Sequence, residues 1–145
     1  MSSGPPTVLI VDDDPLALRA AKRVLEASGF QVETSDSPIG VSILIRKHKP
    51  ALIVLDFNMP AMDGQRLAQV LGQLPEVQDL PIIFHSGMDE ALLYEATKHV
   101  PHSTFVSKGD GPTALVAAAV RSLKMSNPHA SGAFRLDLPK KDSDQ

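Results

Sequence analysis

Three short segments of this chain are continuously apolar and rich in β-branched residues: Thr7 to Val11 (TVLIV), Ala51 to Leu55 (ALIVL) and Pro81 to Phe84 (PIIF). Runs of this kind predict strands buried on both faces, as in a parallel sheet covered by helices. Phe30 to Thr34 (FQVET) alternates apolar and polar positions and predicts an edge or half-exposed strand. Ser103 to Ser107 (STFVS) is a fifth, weaker candidate.

Helical spacing fills the gaps. Asp14 can cap, and Pro15 can open, a helix whose Leu18, Ala21, Val24 and Leu25 share a face and which Gly29 stops. The same grammar at Ser37-Pro38 predicts a second helix carrying Val41, Leu44 and Ile45. Leu67, Ala68, Leu71 and Leu74 mark a third, about Asp89 to Lys98 a fourth, and Leu115, Ala119, Val120 and Leu123 a fifth that starts near Pro112. The resulting β-α order, repeated five times, predicts an open, parallel, doubly wound α/β sheet with helices on both faces. In such sheets the functional site lies at the carboxyl ends of the strands, near the point where strand order reverses.

The residues at those ends are therefore the ones to inspect. Asp12-Asp13-Asp14 follows the first strand, Asp56 the third, Ser86-Gly87 the fourth and Lys108 the fifth. An acid after a strand often caps the next helix, and Asp14 fits that role. Asp12, Asp13 and Asp56 together do not, because three carboxylates in a partly desolvated cleft repel one another unless something positive is bound. A hard divalent ion with oxygen ligands answers that need, and Lys108 adds a further positive charge.

These positions resemble the receiver domains of two-component response regulators, over about residues 6 to 125. The hydrophobic strand before Asp12-Asp13, Asp56 with Asn58-Met59-Pro60 behind it, Ser86-Gly87 and Lys108 all match, and so do the intervals between them. The resemblance implies a flavodoxin-like fold with a five-stranded parallel sheet in the order 2-1-3-4-5. It implies that Asp56 accepts a phosphoryl group and that Mg2+ is held by Asp13, Asp56 and the backbone carbonyl of Asn58, with Asp12 acting directly or through a water. Lys108 would pair with Asp56 before transfer and with a phosphoryl oxygen after it. Ser86, in place of the commoner Thr, would donate its hydroxyl to that oxygen, and Gly87 would leave room for it. Phe105 resembles the aromatic that turns inward as Ser86 moves, or else is an ordinary core residue. The implied partners are a sensor histidine kinase or histidine phosphotransfer protein and a downstream target protein; homodimerisation is compatible with the pattern.

Two departures touch the face of helix 4, strand 5 and helix 5. Gly109 stands where the family usually has Pro after the lysine, and the approach to the fifth strand (Lys98 to Ser103) lacks a small Gly-Ala turn. His85 stands where an apolar residue is expected, and strand alternation predicts that it points away from the phosphorylation pocket.

Composition narrows the reading further. The chain has 145 residues, 43% hydrophobic and 21% charged, with a formal net charge of -3 and a pI near 5.9. That balance offers no clustered basic face for nucleic acid. There is no cysteine, which excludes disulfides and thiolate chemistry, and the five histidines show no metal-ligand spacing. No apolar run approaches the roughly 18 residues a membrane helix needs. A cytoplasmic home is the expectation. Residues 1–5 are expected to form a flexible start, 6–125 the domain, and 126–145, rich in Ser, Pro and charge, a tail that is flexible or docks on a partner. With little room left for an output domain, a stand-alone phospho-switch acting through protein contact is the leading reading. A haloacid-dehalogenase-type phosphatase would share an Asp nucleophile and Mg2+, but Asn58 stands where its proton-transferring Asp would be. A receiver-like fold that is never phosphorylated is the third reading.

Overall fold

The computed structural model describes residues 4–57, 64–75, 79–98 and 100–126. Five strands alternate with five helices: β1 (Thr7–Val11), α1 (Pro15–Ala27), β2 (Gln31–Ser35), α2 (Val41–His48), β3 (Leu52–Asp56), α3 (Gly64–Leu71), β4 (Ile82–Ser86), α4 (Glu90–Thr97), β5 (Ser103–Ser107) and α5 (Pro112–Ser126). All strand pairings are parallel, in the order β2-β1-β3-β4-β5. The doubly wound flavodoxin-like architecture expected from the sequence is the one observed. Among the described residues, no helix is long and apolar enough to cross a membrane.

Strand alternation sorts the core into two halves. Leu9, Val11, Ile53, Leu55, Ile82 and Phe84 pack with Val41 and Ile45 of α2, Leu67 and Leu71 of α3 and Leu93 of α4. Their neighbours Val8, Ile10, Leu52, Val54 and Ile83 face the other way, onto Ala21 and Leu25 of α1 and Leu115, Ala118 and Ala119 of α5. Both faces of β1 and β3 are covered, which is why those segments read as unbroken apolar runs.

The helix ends follow from local chemistry. Asp14 caps α1 by accepting the Leu16 N–H at 3.1 Å, Pro15 fills the first turn, and Gly29 leaves the helix at φ 103°. Asp89 caps α4, accepting the Ala91 N–H at 3.2 Å. The expected start of α2 at Ser37-Pro38 is corrected: the helix begins at Val41. The Ser37 hydroxyl accepts the Ile39 N–H at 3.1 Å within a turn, and the chain enters the helix through Gly40 at φ 86°, a left-handed conformation that suits glycine. Leu74 lies beyond the end of α3 but still packs on the core.

Both departures on the β5 side have a structural counterpart. Where a small Gly-Ala turn was missing, His102 takes the left-handed conformation at φ 58°, and its carbonyl accepts the Ile82 N–H at 2.9 Å. After β5, Lys108–Asp110 form a single 3-10 turn in which the Ser107 hydroxyl accepts the Gly109 N–H at 3.2 Å. A proline at 109 would have no N–H to give.

Candidate phosphorylation site

The carboxyl ends of β1, β3, β4 and β5 converge, and the topology reverses between β1 and β3. Asp12 directly follows β1 and is 3% exposed; Asp56 is the last residue of β3 and is 6% exposed. Asp13 is exposed at the rim. One carboxylate oxygen from each of the three lies within 4.8 Å of the others. Asp12 is held by two backbone contacts: its Oδ1 accepts the Asp14 N–H at 2.9 Å, and its own N–H donates to the Ser35 carbonyl at 3.0 Å.

Lys108 reaches this cluster from the end of β5. Its Nζ lies 2.8 Å from Asp12 Oδ2 and 3.7 Å from Asp56 Oδ2. The expected pairing with Asp56 is thus present as a longer contact, and the short one is to Asp12. Burial by itself would lower the Lys108 pKa. The hydrogen bond it donates to Asp12 and the charges of Asp12, Asp56 and Asp14 outweigh it and hold the pKa above the ordinary lysine value. The ammonium therefore stays charged at neutral pH.

Ser86 is buried at the end of β4, and its hydroxyl accepts the Met88 N–H at 3.1 Å. A β-carbon added at Gly87 would meet no atom within 4 Å, so the space beside Ser86 is open. Phe105 is half-buried against the core and meets Tyr94 of α4 edge-on, with ring centroids 6.3 Å apart. Phe57, next to Asp56, is buried edge-on against Phe84 at 5.6 Å. Asn58, whose carbonyl was expected among the metal ligands, lies outside the described residues.

His85 lies on the opposite phase of β4 from Ser86, as strand alternation predicts. It is also the register partner of Asp56, so those two share a phase of the pleat. Burial, together with the Lys108 charge and against a smaller opposing effect of Asp12, lowers its pKa to about 4. It is thus a neutral imidazole on the side of the sheet that faces α1 and α5.

The sequence matches the response regulator receiver domain over residues 8–120, well over half of its length. The chain belongs to that family. Among curated receiver-containing relatives, it is 36% identical over 84 residues to the protein-glutamate methylesterase/protein-glutamine glutaminase 1 of Anaeromyxobacter dehalogenans, covering 57% of this chain and 23% of that one. It is 29% identical over 79 residues to the polar-differentiation response regulator DivK of Brucella anthropi, covering 54% of this chain and 64% of the relative. The chain therefore spans less than two thirds of the length of these relatives. Among solved structures, a putative response regulator from Chloroflexus aurantiacus superposes with a TM-score of 0.77 at 27% identity, covering 82% of this chain and 98% of the other.

Proposed function

We propose that this receiver domain accepts a phosphoryl group on Asp56 from a phosphohistidine of a sensor histidine kinase or histidine phosphotransfer protein. In that step an Asp56 carboxylate oxygen forms the new O–P bond as the N–P bond of the donor breaks. The bonding electrons return to the imidazole, which leaves as the neutral ring once it holds a single proton. Phosphoryl transfer asks a protein mainly for positioning and for neutralising charge.

The observation that carries this reading is the gathering of Asp12, Asp13 and Asp56 within 4.8 Å, with Lys108 as counter-cation. Three carboxylates so close fit a divalent cation with oxygen ligands, and Mg2+ is the ion we assign; it would neutralise charge on the transferring oxygens. Asp13 and Asp56 would ligate it with the Asn58 carbonyl, and Asp12 would do so directly or through a water. Lys108 would then exchange a carboxylate for a phosphoryl oxygen. Ser86 would give up the Met88 N–H and donate its hydroxyl to the phosphoryl group, and Phe105 would follow inward. The output is a change of protein contacts in a cytoplasmic phosphorelay, through a downstream target protein, with no catalytic turnover of a separate substrate.

Incubation with Mg2+ and phosphoramidate, followed by intact-protein mass spectrometry, tests the proposal. A gain of one phosphoryl group is expected, and Asp56→Asn should abolish it. An unmodified wild type in the presence of Mg2+, or a gain that survives Asp56→Asn, refutes it.

A further inference from the structure

The solvent side of α1 carries a groove. Leu16, Ala20, Val24 and Ala27 line its apolar floor, Arg19 and Arg23 flank it, and Pro112 at the start of α5 closes one end. The floor is one helical stripe, distinct from the Ala21 and Leu25 stripe that packs on the sheet. At about 490 Å³ the groove is a cleft for several side chains and not for an ion. Leu16 is 72% exposed, the one large apolar side chain left open on the α1–α5 face among the described residues. Glu26 stands one turn beyond Arg23, on the same flank. Among the described residues, none of Arg19, Arg23 and Glu26 forms an ion pair.

Beyond the described residues, the sequence carries a segment of matching form. Phe134-Arg135-Leu136-Asp137-Leu138 alternates apolar and charged positions, so its three apolar side chains share one side when extended. Five extended residues span ~17 Å at 3.3 Å each. Leu16 to Ala27 is eleven helical steps, also ~17 Å at 1.5 Å each. Both α1 and α5 start at the carboxyl rim and run back side by side, so Ser126, the end of α5, lies toward the Ala27 end of the groove. Packed helices stand about 8–10 Å apart, and the seven residues 127–133 reach ~23 Å, which covers the gap. The segment therefore enters at Ala27 and runs toward Leu16. In that direction Arg135 comes opposite Glu26 and Asp137 opposite Arg19; in the reverse direction like charges would meet. Tether and charge favour the same orientation, and neither depends on the other.

We propose that residues 134–138 dock in the α1 groove of the same molecule, extended and antiparallel to α1. Phe134, Leu136 and Leu138 lie on the floor, Asp137 pairs with Arg19, and Arg135 pairs with Glu26. Tethering gives the segment an effective concentration in the millimolar range, so a contact too weak to hold a free peptide holds this one. The docked segment covers Leu16 and Pro112, which stand two residues from Asp14 and from the Lys108–Asp110 turn. Anything that approaches the acidic rim along α1 meets the segment first.

Amide heteronuclear NOEs measured by NMR on the full chain test this. Those of residues 134–138 should match the folded domain and should hold on dilution. Leu16→Asp, at an exposed position, should leave the far-UV circular dichroism unchanged and drop those NOEs to the values of a segment that touches nothing. Arg19→Asp should lower the docked population several-fold, and adding Asp137→Arg should recover part of the loss. Low NOEs over residues 134–138 in the wild type overturn the proposal. So do high NOEs indifferent to Leu16→Asp, which would place the segment on another surface, and a double variant no tighter than Arg19→Asp alone. Loss of the NOEs on dilution also overturns it, because the groove would then hold the segment of a second copy. The readout involves neither metal nor phosphotransfer.

Discussion

The interior of the sheet and its carboxyl-end rim are buried to nearly the same degree and are built from opposite materials. Along β1 and β3, Leu9, Ile53 and Leu55 have no solvent exposure and belong to one apolar cluster. One residue beyond those strands' apolar runs, Asp12 and Asp56 are buried almost as deeply, with Lys108 between them and Asp13 at the surface. Every apolar group in the interior adds to stability on leaving water. At the rim, each buried carboxylate loses hydration, against which Lys108 and, for Asp12, the Asp14 N–H are set. The interior is where this fold gains its free energy, and the rim is where it gives some back to hold buried charge in place.

The largest expected effect lies on the interior side of that contrast. Leu55→Ala should lower the unfolding free energy by about 3–5 kcal/mol, the upper part of the range for truncating a buried leucine, because the side chain is fully buried. It would be read as a lower urea midpoint with an unchanged slope. A loss well under that range would mean that the interior tolerates a void one residue below Asp56, and the distinction between the two regions would blur.

His85 sits on the boundary between them, and its expected effect is somewhat smaller. Its pKa falls from 6.5 to about 4 on folding, so the folded state resists a proton that the unfolded chain accepts. Its contribution is therefore fully present above pH 6.5 and is lost as the pH falls from there toward 4. The shift corresponds to ~3 kcal/mol, reduced to about 2 kcal/mol by solvent screening of the exposed part of the ring. Urea titrations of wild type and His85→Val across that window isolate the effect, since carboxylate protonation is common to both. Parallel pH profiles for the two proteins would show that His85 belongs electrostatically to solvent.

The same contrast explains which parts of the molecule could be read from the chain. The runs TVLIV, ALIVL and PIIF announced the central strands because both of their faces are apolar, and the doubly wound order followed from their alternation with helices. Strand ends were harder. β3 and β4 continue through Asp56, His85 and Ser86, because backbone pairing does not stop where hydrophobicity does. The onset of α2 was missed because Ser37-Pro38 is a plausible cap, and nothing in its side chains tells that Gly40 turns left-handed first. The convergence of Asp12, Asp13, Asp56 and Lys108 was visible, since each stands at or just past the carboxyl end of a strand. The preference of Lys108 for Asp12 over Asp56 was not, because spacing along the chain carries no lateral distance across the sheet.

The smallest effect concerns Asp13, the exposed member of the cluster. If the rim is a site where repulsion is held in reserve for a cation, Asp13→Asn should raise the metal-free urea midpoint slightly, because one of three mutually repelling charges is gone. Wild type should gain more from the ion itself. Magnesium at ten times its dissociation constant stabilises a binding-competent fold by ~1.4 kcal/mol, and Asp13→Asn should forfeit most of that gain. Chemical denaturation with and without Mg2+, in both proteins, gives the four numbers required. A wild type indifferent to magnesium would leave the acidic rim without its counter-ion, and a variant that still responds fully would move the metal onto Asp12 and Asp56 alone.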